Sequence, residues 1–408
     1  MSDSSREIHS LRLVRVPIFS NKNTVSAYAL KFIKGHYSEQ NGLDEKTDLT
    51  PSVFKKINEQ TYPKLFADTK LWMPFSRYLG KNARSLPLNG RQLIIELLPD
   101  TPSDRETVDQ VTELSRLGYQ IAAPGKWFID NSNSIAVLAK IAVLNYEEIV
   151  EDNMLAARIA VVSSKQLLRH VNDEAAFQLF QSSQLTSYTG SFYLHPPLQD
   201  AESLPKEKLH RVQLLAKIQN PSVDFIEVRQ ALSQDQSITN SLLEYINSPV
   251  FKLESQVSST QQALGLLGLN VLKQWLMVAI VGEMVTGNQY EPLRVAFIRA
   301  RMCELIARKM GSKKSGRYFL VGLLSGLEML LAVPTEKAIE LMGLSDKMKG
   351  FLLDYEGVIG STLGSVIAFE QGDWENAKHQ KVSDATMQKA YLNAIVWSKA
   401  VIEQIEKS

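Results

Sequence analysis

Roughly the first 200 residues alternate short apolar runs with stretches of helical period. The run LIIELL at 93–98 predicts a strand, and the segment 103–117 predicts an amphipathic helix that Gly118 caps. The apolar face of that helix holds Val108, Val111, Leu114 and Leu117. Further strand-like runs lie at 119–123, 139–144, 157–162 and 190–194. Repeated strand–helix pairs predict a mainly parallel sheet, either doubly wound or closed as a barrel.

The pattern changes near 197–208, where proline and charged residues cluster, and helical period dominates beyond it. One helix face holds Ile238, Leu242, Tyr245 and Ile246, and Ser258–Gln261 predicts a capping box. Segments 294–310 and 318–331 predict further helices, and the second is apolar on nearly all sides, which is typical of a central helix. We therefore expect a barrel-like or doubly wound α/β domain at 1–200 and an all-helical domain at 201–408.

Composition is that of a folded protein, with 44% hydrophobic and 22% charged residues. The net charge of +1 creates no global field toward nucleic acid, and the tightest basic cluster, 311–317, resembles a solvated turn. The single cysteine, Cys303, excludes a disulfide framework and a cysteine-based zinc site, and we interpret it as a packing residue. The amino terminus carries no apolar signal segment, and the run 275–281 is too short to span a bilayer. We expect a cytoplasmic protein that binds no nucleic acid and does not insert into a membrane.

The second half of the chain resembles an HDOD domain. The resemblance rests on the segments 209–249, 263–278, 319–331 and 356–374. It implies an all-helical fold over nearly the whole of that half.

The first half is similar to EAL domains, in the divergent form that occurs fused to HDOD domains. The segments VRVPIF, SAYALKF, IIELL, GYQIAAPGKWF and YTGSFYLHPPL follow one another in the order that this family shows. The resemblance implies a modified (β/α)8 barrel. An EAL phosphodiesterase hydrolyses cyclic di-GMP with divalent metals, which requires several carboxylate ligands.

Most positions that carry this chemistry in EAL domains hold residues here whose side chains cannot bind a metal or transfer a proton. The motif glutamate of the family corresponds to Ala29, the arginine after it to Ile33, and the glutamine of the first strand to Val16. The paired aspartates correspond to Pro124 and Gly125. Neither proline nor glycine carries a side chain that can bind a metal or transfer a proton.

The remaining positions follow the same trend. The metal-binding asparagine falls near Met73, and a lysine and an aspartate fall near Val143 and Asn145. The late glutamate falls within 161–164, which holds no acid, and the last-strand glutamine corresponds to Thr189. Only Glu96 is retained. Glu96 is either a residual ligand contact or a buried acid paired with a base such as Arg15 or Lys31, and the second interpretation is favoured.

The helical half lacks the metal-binding pair of the related HD hydrolases, because Ser325 and Gly326 occupy it. The six histidines are His9, His36, His170, His195, His210 and His379. None precedes an aspartate and none forms a His-x3-His motif, so we expect no metal, no cofactor and no catalytic residue in either half.

Three functional hypotheses follow. The main one is a non-catalytic bacterial signalling scaffold that binds protein partners in a cyclic di-GMP-linked pathway of motility, pili or biofilm. Its docking surface would be an apolar group at the barrel mouth, which could equally be filling: Trp72, Met73, Pro74, Phe75, Pro124, Trp127 and Phe128. The second is a cyclic di-GMP receptor without hydrolysis. The third is a hydrolase, either a residual phosphodiesterase or an enzyme for another substrate that uses Glu147, Glu148, Glu151 and Asp152.

Overall fold

The computed structural model describes residues 11–34, 37–38, 48–58, 60–66, 69–130, 135–220, 223–233, 235–247, 253, 255–285 and 290–406. The chain divides into two compact units, residues 1–193 and 194–408. The first unit is an α/β barrel and the second is helical.

Nine strands form the sheet of the first unit: β1 Leu11–Ser20, β2 Val25–Lys34, β3 Tyr37–Ser38, β4 Lys70–Pro74, β5 Leu93–Glu96, β6 Gln120–Pro124, β7 Ile141–Asn145, β8 Gln166–Arg169 and β9 Ser187–Tyr188. Eight of them close into a ring in the order β1, β9, β8, β7, β6, β5, β4, β2, and the pairing of β2 with β1 completes it. β3 pairs only with β2. β1 is antiparallel to both of its neighbours, whereas the other ring pairs are parallel. The first unit is therefore a closed eight-stranded barrel, one of the two arrangements that the strand–helix alternation predicts and the one that the resemblance implies.

Among the described residues, eight helices accompany the strands: α1 Thr50–Lys56, α2 Tyr62–Phe66, α3 Arg77–Lys81, α4 Arg105–Arg116, α5 Trp127–Asp130, α6 Tyr146–Glu151, α7 Leu155–Val162 and α8 Glu174–Ser182. Short 3-10 turns lie at Ala83–Ser85, Ala136–Leu138 and Phe192–Leu194. α4 confirms the predicted helix, and Gly118 beyond its end has a φ of 88°, in the left-handed region that favours glycine. Leu117, by contrast, is 41% exposed, so the predicted apolar face is shorter than expected.

Two predicted strands are wrong. Segment 157–162 belongs to helix α7, because Leu155 and Ile159 lie one turn apart and are both buried, whereas Val161 and Val162 are exposed. Segment 190–194 contains a 3-10 turn instead of a strand. A Cβ atom on Gly190 would lie 2.2 Å from the Val171 carbonyl oxygen, so the chain can turn here only because glycine has no side chain.

In the part of the second unit that the structure describes there are eleven helices: α9 Lys206–Gln219, α10 Phe225–Ser233, α11 Gln236–Asn247, α12 Thr260–Gly282, α13 Tyr290–Lys309, α14 Ser315–Leu324, α15 Leu327–Leu331, α16 Thr335–Leu341, α17 Asp346–Leu353, α18 Gly357–Gln371 and α19 Asp384–Ile405. A 3-10 turn at Ala201–Ser203 precedes them. Trp397 in α19 contacts Trp275, Phe297 and Phe319, with ring centroids 5.7 to 6.0 Å apart. These contacts join α12, α13 and α14 in one core.

Three sequence expectations for this unit are refined. Ile238, Leu242 and Ile246 are fully buried, as expected, and the Tyr245 side chain lies outside the described residues. Helix α12 starts one residue later than the predicted capping box, because Ser259 is the cap that accepts from the Gln262 amide. The predicted central helix 318–331 is two helices, interrupted at Ser325 and Gly326, and it is buried as expected.

Candidate functional site at the carboxyl end of the barrel

Glu96 ends strand β5 and is only 4% exposed. Its Oε2 atom accepts a hydrogen bond from Trp72 Nε1 at 2.6 Å. The same oxygen forms an ion pair with Arg169 Nη2 at 2.5 Å. Trp72 comes from β4, next to β5, whereas Arg169 ends β8, three strands away around the ring. The retained carboxylate is therefore neutralised by an arginine that reaches across the barrel.

The expected partners of Glu96 are wrong. Arg15 Nη1 donates instead to the Leu65 carbonyl oxygen at 2.5 Å, and its guanidinium lies 4.2 Å from the centre of the Tyr28 ring. The Lys31 side chain is exposed. The strand pattern explains the error, because side chains alternate between the two faces of β1 and Arg15 lies on the face opposite Val16 and Ile18. Arg169 is hard to find from sequence, since 73 residues separate it from Glu96.

Apolar side chains fill the barrel interior below Glu96. The buried cluster there comprises Ile18, Ala27, Trp72, Ile94, Ala122, Ile141, Val143 and Leu167, with Ala29 packed against it. Ala29 pairs with Val16 on one side and Trp72 on the other. Thr189 Oγ1 donates to the Pro17 carbonyl oxygen at 2.8 Å, so its hydroxyl closes the β1–β9 seam. The interior thus provides hydrophobic packing around one compensated charge.

Met73 does not face this interior. It is fully buried on the strand face opposite Trp72, which is the inward residue of β4. Segment 161–164 is also displaced from the mouth, since it ends α7 and precedes β8, at the amino end of the parallel strands. The residue that β8 presents at the mouth is Arg169.

The corner Pro124–Gly125 has no room for a longer side chain at its second residue. The Gly125 amide donates to the Val143 carbonyl oxygen at 2.7 Å. A Cβ atom on Gly125 would lie 2.5 Å from Leu144 Cδ2 and 3.2 Å from that same carbonyl oxygen. A side chain at this position would therefore have to displace Leu144 and press on the end of β7.

The acids that follow β7 are engaged in separate contacts. The Asn145 amide donates to Glu148 Oε2 at 2.9 Å at the start of α6, and Lys126 Nζ lies 3.2 Å from Glu148 Oε1. Glu147 pairs with His170 Nδ1 at 2.8 Å, and this hydrogen bond lowers the pKa of Glu147. Asp152 pairs with Arg158, and Glu151 is exposed. Within the described ranges, no group of three or more His, Cys, Asp or Glu side chains is placed to hold a metal ion.

The apolar group expected at the barrel mouth is only partly at the surface. Trp72, Met73 and Phe75 are buried, at 3%, 0% and 4% exposure. The half-buried members are Pro74, Pro124, Trp127 and Phe128, and Phe128 packs against the cluster outside the barrel. The three buried members fill the fold, so only the four half-buried residues remain available for the predicted docking surface.

A nearly buried ion pair lies beside Ser325 in the helical unit. Arg299 holds both carboxylate oxygens of Glu370, at 3.0 and 2.8 Å, and its Nη1 donates to the Ser325 carbonyl oxygen at 3.2 Å. Both side chains are close to buried, at 7% and 11% exposure. Cys303, one turn beyond Arg299, is 1% exposed, and burial raises the pKa of its thiol to about 12. This confirms its interpretation as a packing residue.

The histidines lie apart from one another. His379 Nε2 lies 3.0 Å from Thr362 Oγ1, and burial lowers its pKa. His210 is half exposed, 3.7 Å from Asp235. His195 is exposed, and His9 and His36 lie outside the described residues.

The apolar helix that contains the run 275–281 is longer than that run alone predicts. α12 and the stretch Asp346–Gln371 are long and apolar enough to cross a membrane by length and composition, with 50% and 44% of the apolar window buried within the fold. The short run lies inside the 23-residue helix α12, which packs against its neighbours over its second half.

Comparison with known proteins supports this organisation. The HDOD domain family matches residues 204–348. A Bacillus subtilis protein described as "Uncharacterized protein YuxH" is 25% identical over 94% of this chain and 97% of its own length. The cyclic di-GMP phosphodiesterase CdgJ of Vibrio cholerae is 25% identical over 91% of this chain and 87% of its own length.

A solved EAL domain protein of Listeria monocytogenes is similar in structure, with 14% identity and a TM-score of 0.34. It covers 47% of this chain and 93% of its own. The match to the HDOD domain family, by contrast, begins just before helix α9 and ends within α17. The helical unit of this chain therefore contains an HDOD domain.

Proposed function

We propose that this chain is a non-catalytic signalling protein of a cyclic di-GMP-linked pathway, and that it acts by binding protein partners. The link to cyclic di-GMP is inferred from its similarity to a relative named a phosphodiesterase for that nucleotide. The loss of hydrolysis is inferred from the barrel.

The contact between Glu96 and Arg169 carries the proposal. Hydrolysis by two metal ions needs several oxygen ligands held at fixed geometry. The one carboxylate at the centre of the mouth already has a cation and an indole N–H on its Oε2 atom. A metal ion would have to displace Arg169 and would then find Ala122, Val143 and Pro124 as its neighbours on the adjoining strands.

A complementation experiment tests the non-catalytic role. In a strain that lacks this chain, its phenotype in motility or surface attachment would be measured with wild-type and Glu96→Gln chains expressed at equal levels. Glutamine keeps the size of Glu96 and an acceptor for Trp72 but cannot act as a metal ligand of the same charge. Equal complementation by the two chains supports the proposal. Failure of a folded Glu96→Gln chain to complement the strain contradicts it.

Phosphodiesterase activity is the second candidate, and the name of the Vibrio cholerae relative favours it. On that alternative Glu96 would be a ligand and Arg169 a residue displaced on metal binding. A third candidate, a receptor that binds cyclic di-GMP without cleaving it, lacks polar side chains at Val16, Ala29 and Ile33. A calorimetric titration separates it, since micromolar binding without turnover would identify a receptor.

A further inference from the structure

One end of the helical unit carries an exposed apolar segment beside an exposed cationic corner. The apolar segment is the first half of α12, residues 260–271, and the cationic corner is residues 308–317 between α13 and α14. We propose that this end of the unit binds the surface of an anionic membrane.

The apolar segment is exposed although it carries no charge. The sequence from 255 to 272 contains no Asp, Glu, Lys or Arg. Leu266 is 55% exposed and Val271 is 37% exposed, and Leu264, Leu267 and Leu269 are half-buried. The second half of α12 is buried almost throughout. The less buried part of this apolar helix is therefore its first half.

A break in the helix lies within this apolar segment. Gly268 has φ 74° and ψ 161°, which no helical residue adopts, so the chain bends between residues 267 and 269. After the break, Lys273 of α12 donates from its Nζ atom to the carbonyl oxygen of Asn220 at 2.7 Å, and Asn220 is the residue that caps the end of α9. Ile226 in α10 is 73% exposed and adds to the apolar surface.

The cationic corner concentrates charge in a chain whose net charge is only +1. Its five basic residues are all exposed: Arg308, Lys309, Lys313, Lys314 and Arg317. Arg308 pairs with Glu304, and no described carboxylate lies within ion-pair distance of the other four. No Asp or Glu occurs between 305 and 327. The positive charge of this corner is thus left largely uncompensated.

Contacts at the opposite end of the unit position the end of α12 and the start of α15. Glu283, just after α12, lies 3.6 Å from Arg211, and Lys208, one turn before Arg211, donates to the Leu330 carbonyl oxygen in α15. Gly326, which precedes α15, packs against Ala296 in the first part of α13.

The second half of α12 and the first part of α13 run antiparallel, because Trp397 contacts both Trp275 and Phe297, each seven positions from the α12–α13 connection. Trp397 also contacts Phe319, two residues after Arg317. Trp275 lies one turn after Val271, so the end of the apolar segment lies near the start of α14 and the cationic corner.

Exposed leucines next to lysines are what an anionic bilayer surface attracts, because apolar side chains enter the acyl boundary while the cations meet lipid phosphates. A protein partner is less favoured, since residues 272–354 add no exposed large hydrophobic side chain among those described. Nucleic acid is also less favoured, because the corner offers no exposed aromatic side chain for base stacking.

Co-sedimentation with vesicles tests the proposal. The full chain would be mixed with phosphatidylcholine vesicles with and without phosphatidylglycerol, at low and high salt. We expect binding only to the anionic vesicles, weakened by salt. Lys313→Gln with Lys314→Gln should lower the affinity about 25-fold, from about fivefold per cation, and Leu266→Gln about tenfold.

The matched control is Lys140→Gln with Lys165→Gln, two exposed lysines on the barrel, which should bind as wild type does. Circular dichroism would confirm that each variant is folded, and all the changed side chains are exposed. Absence of binding to anionic vesicles would overturn the proposal. So would binding that neither variant weakens, or salt-sensitive binding to duplex DNA in place of vesicles.

Discussion

Arg169 Nη2 lies 2.5 Å from Glu96 Oε2, so the ends of β8 and β5 are joined across the mouth of the barrel. Trp72 binds the same oxygen from β4. Glu96 is buried, whereas the Arg169 side chain is 30% exposed. The pair therefore keeps a charged group in an interior that is otherwise apolar, at the position where metal chemistry would need free carboxylates.

Removal of Arg169 should destabilise the barrel. Arg169→Met leaves the buried Glu96 carboxylate without its cation, which we expect to cost about 1–3 kcal/mol in the free energy of unfolding. The partial exposure of Arg169 keeps the cost below that of a fully buried pair. Urea denaturation of the wild type, of each single variant and of the double variant measures the free energy of unfolding. The double variant, Arg169→Met with Glu96→Gln, should recover part of the loss caused by Arg169→Met. A double variant as unstable as the sum of the two single variants would contradict the coupling.

Gly125→Ala should also lower stability. The new methyl group would press on Leu144 and on the Val143 carbonyl oxygen, which we expect to cost about 1–3 kcal/mol. Gly316→Ala is the matched control, because no atom lies within 4 Å of a Cβ there and its backbone is helical. Thermal unfolding compares the two. An unchanged midpoint for Gly125→Ala would show that Leu144 yields easily and that a side chain can be accommodated at this corner.

Removal of Arg299 from its buried pair with Glu370 should destabilise the helical unit more than removal of a cation from an exposed pair. Arg299→Met leaves Glu370 buried with no guanidinium and also removes the donor to the Ser325 carbonyl oxygen. We expect a loss of about 3–5 kcal/mol in the free energy of unfolding. Lys337→Met, at an exposed pair with Glu340, is the control and should change it by less than about 1 kcal/mol. Similar losses for the two variants would contradict this difference.

The Cys303 thiol should be inert in the folded chain. Its pKa is raised from 9.0 to about 12 because burial disfavours the thiolate. A maleimide should label it slowly in buffer and quickly in urea. Since the folded-state pKa is the higher one, the contribution of Cys303 to stability is complete below pH 9 and is lost as the pH rises toward 12. Cys303→Ala should remove that part of the pH dependence, and rapid labelling under native conditions would contradict the burial.

The strand–helix alternation of the first half and the helical period of the second suffice to predict the two kinds of fold. Local signals fail where tertiary packing decides, as at 157–162, where valine and isoleucine suggest a strand but Leu155 and Ile159 bury a helix face. At the site, the retention of Glu96 is visible in the sequence, but its partner is not. Arg169 meets Glu96 only because the barrel closes, and closure is a property of the whole ring of strands.

The central claim is that the barrel does not hydrolyse cyclic di-GMP. The most direct measurement is the release of linear dinucleotide from cyclic di-GMP by the purified full chain, with Mg²⁺ or Mn²⁺, beside the Glu96→Gln variant. We expect no release above the buffer control for either chain. Turnover by the wild type that Glu96→Gln abolishes would contradict the claim and identify Glu96 as a metal ligand.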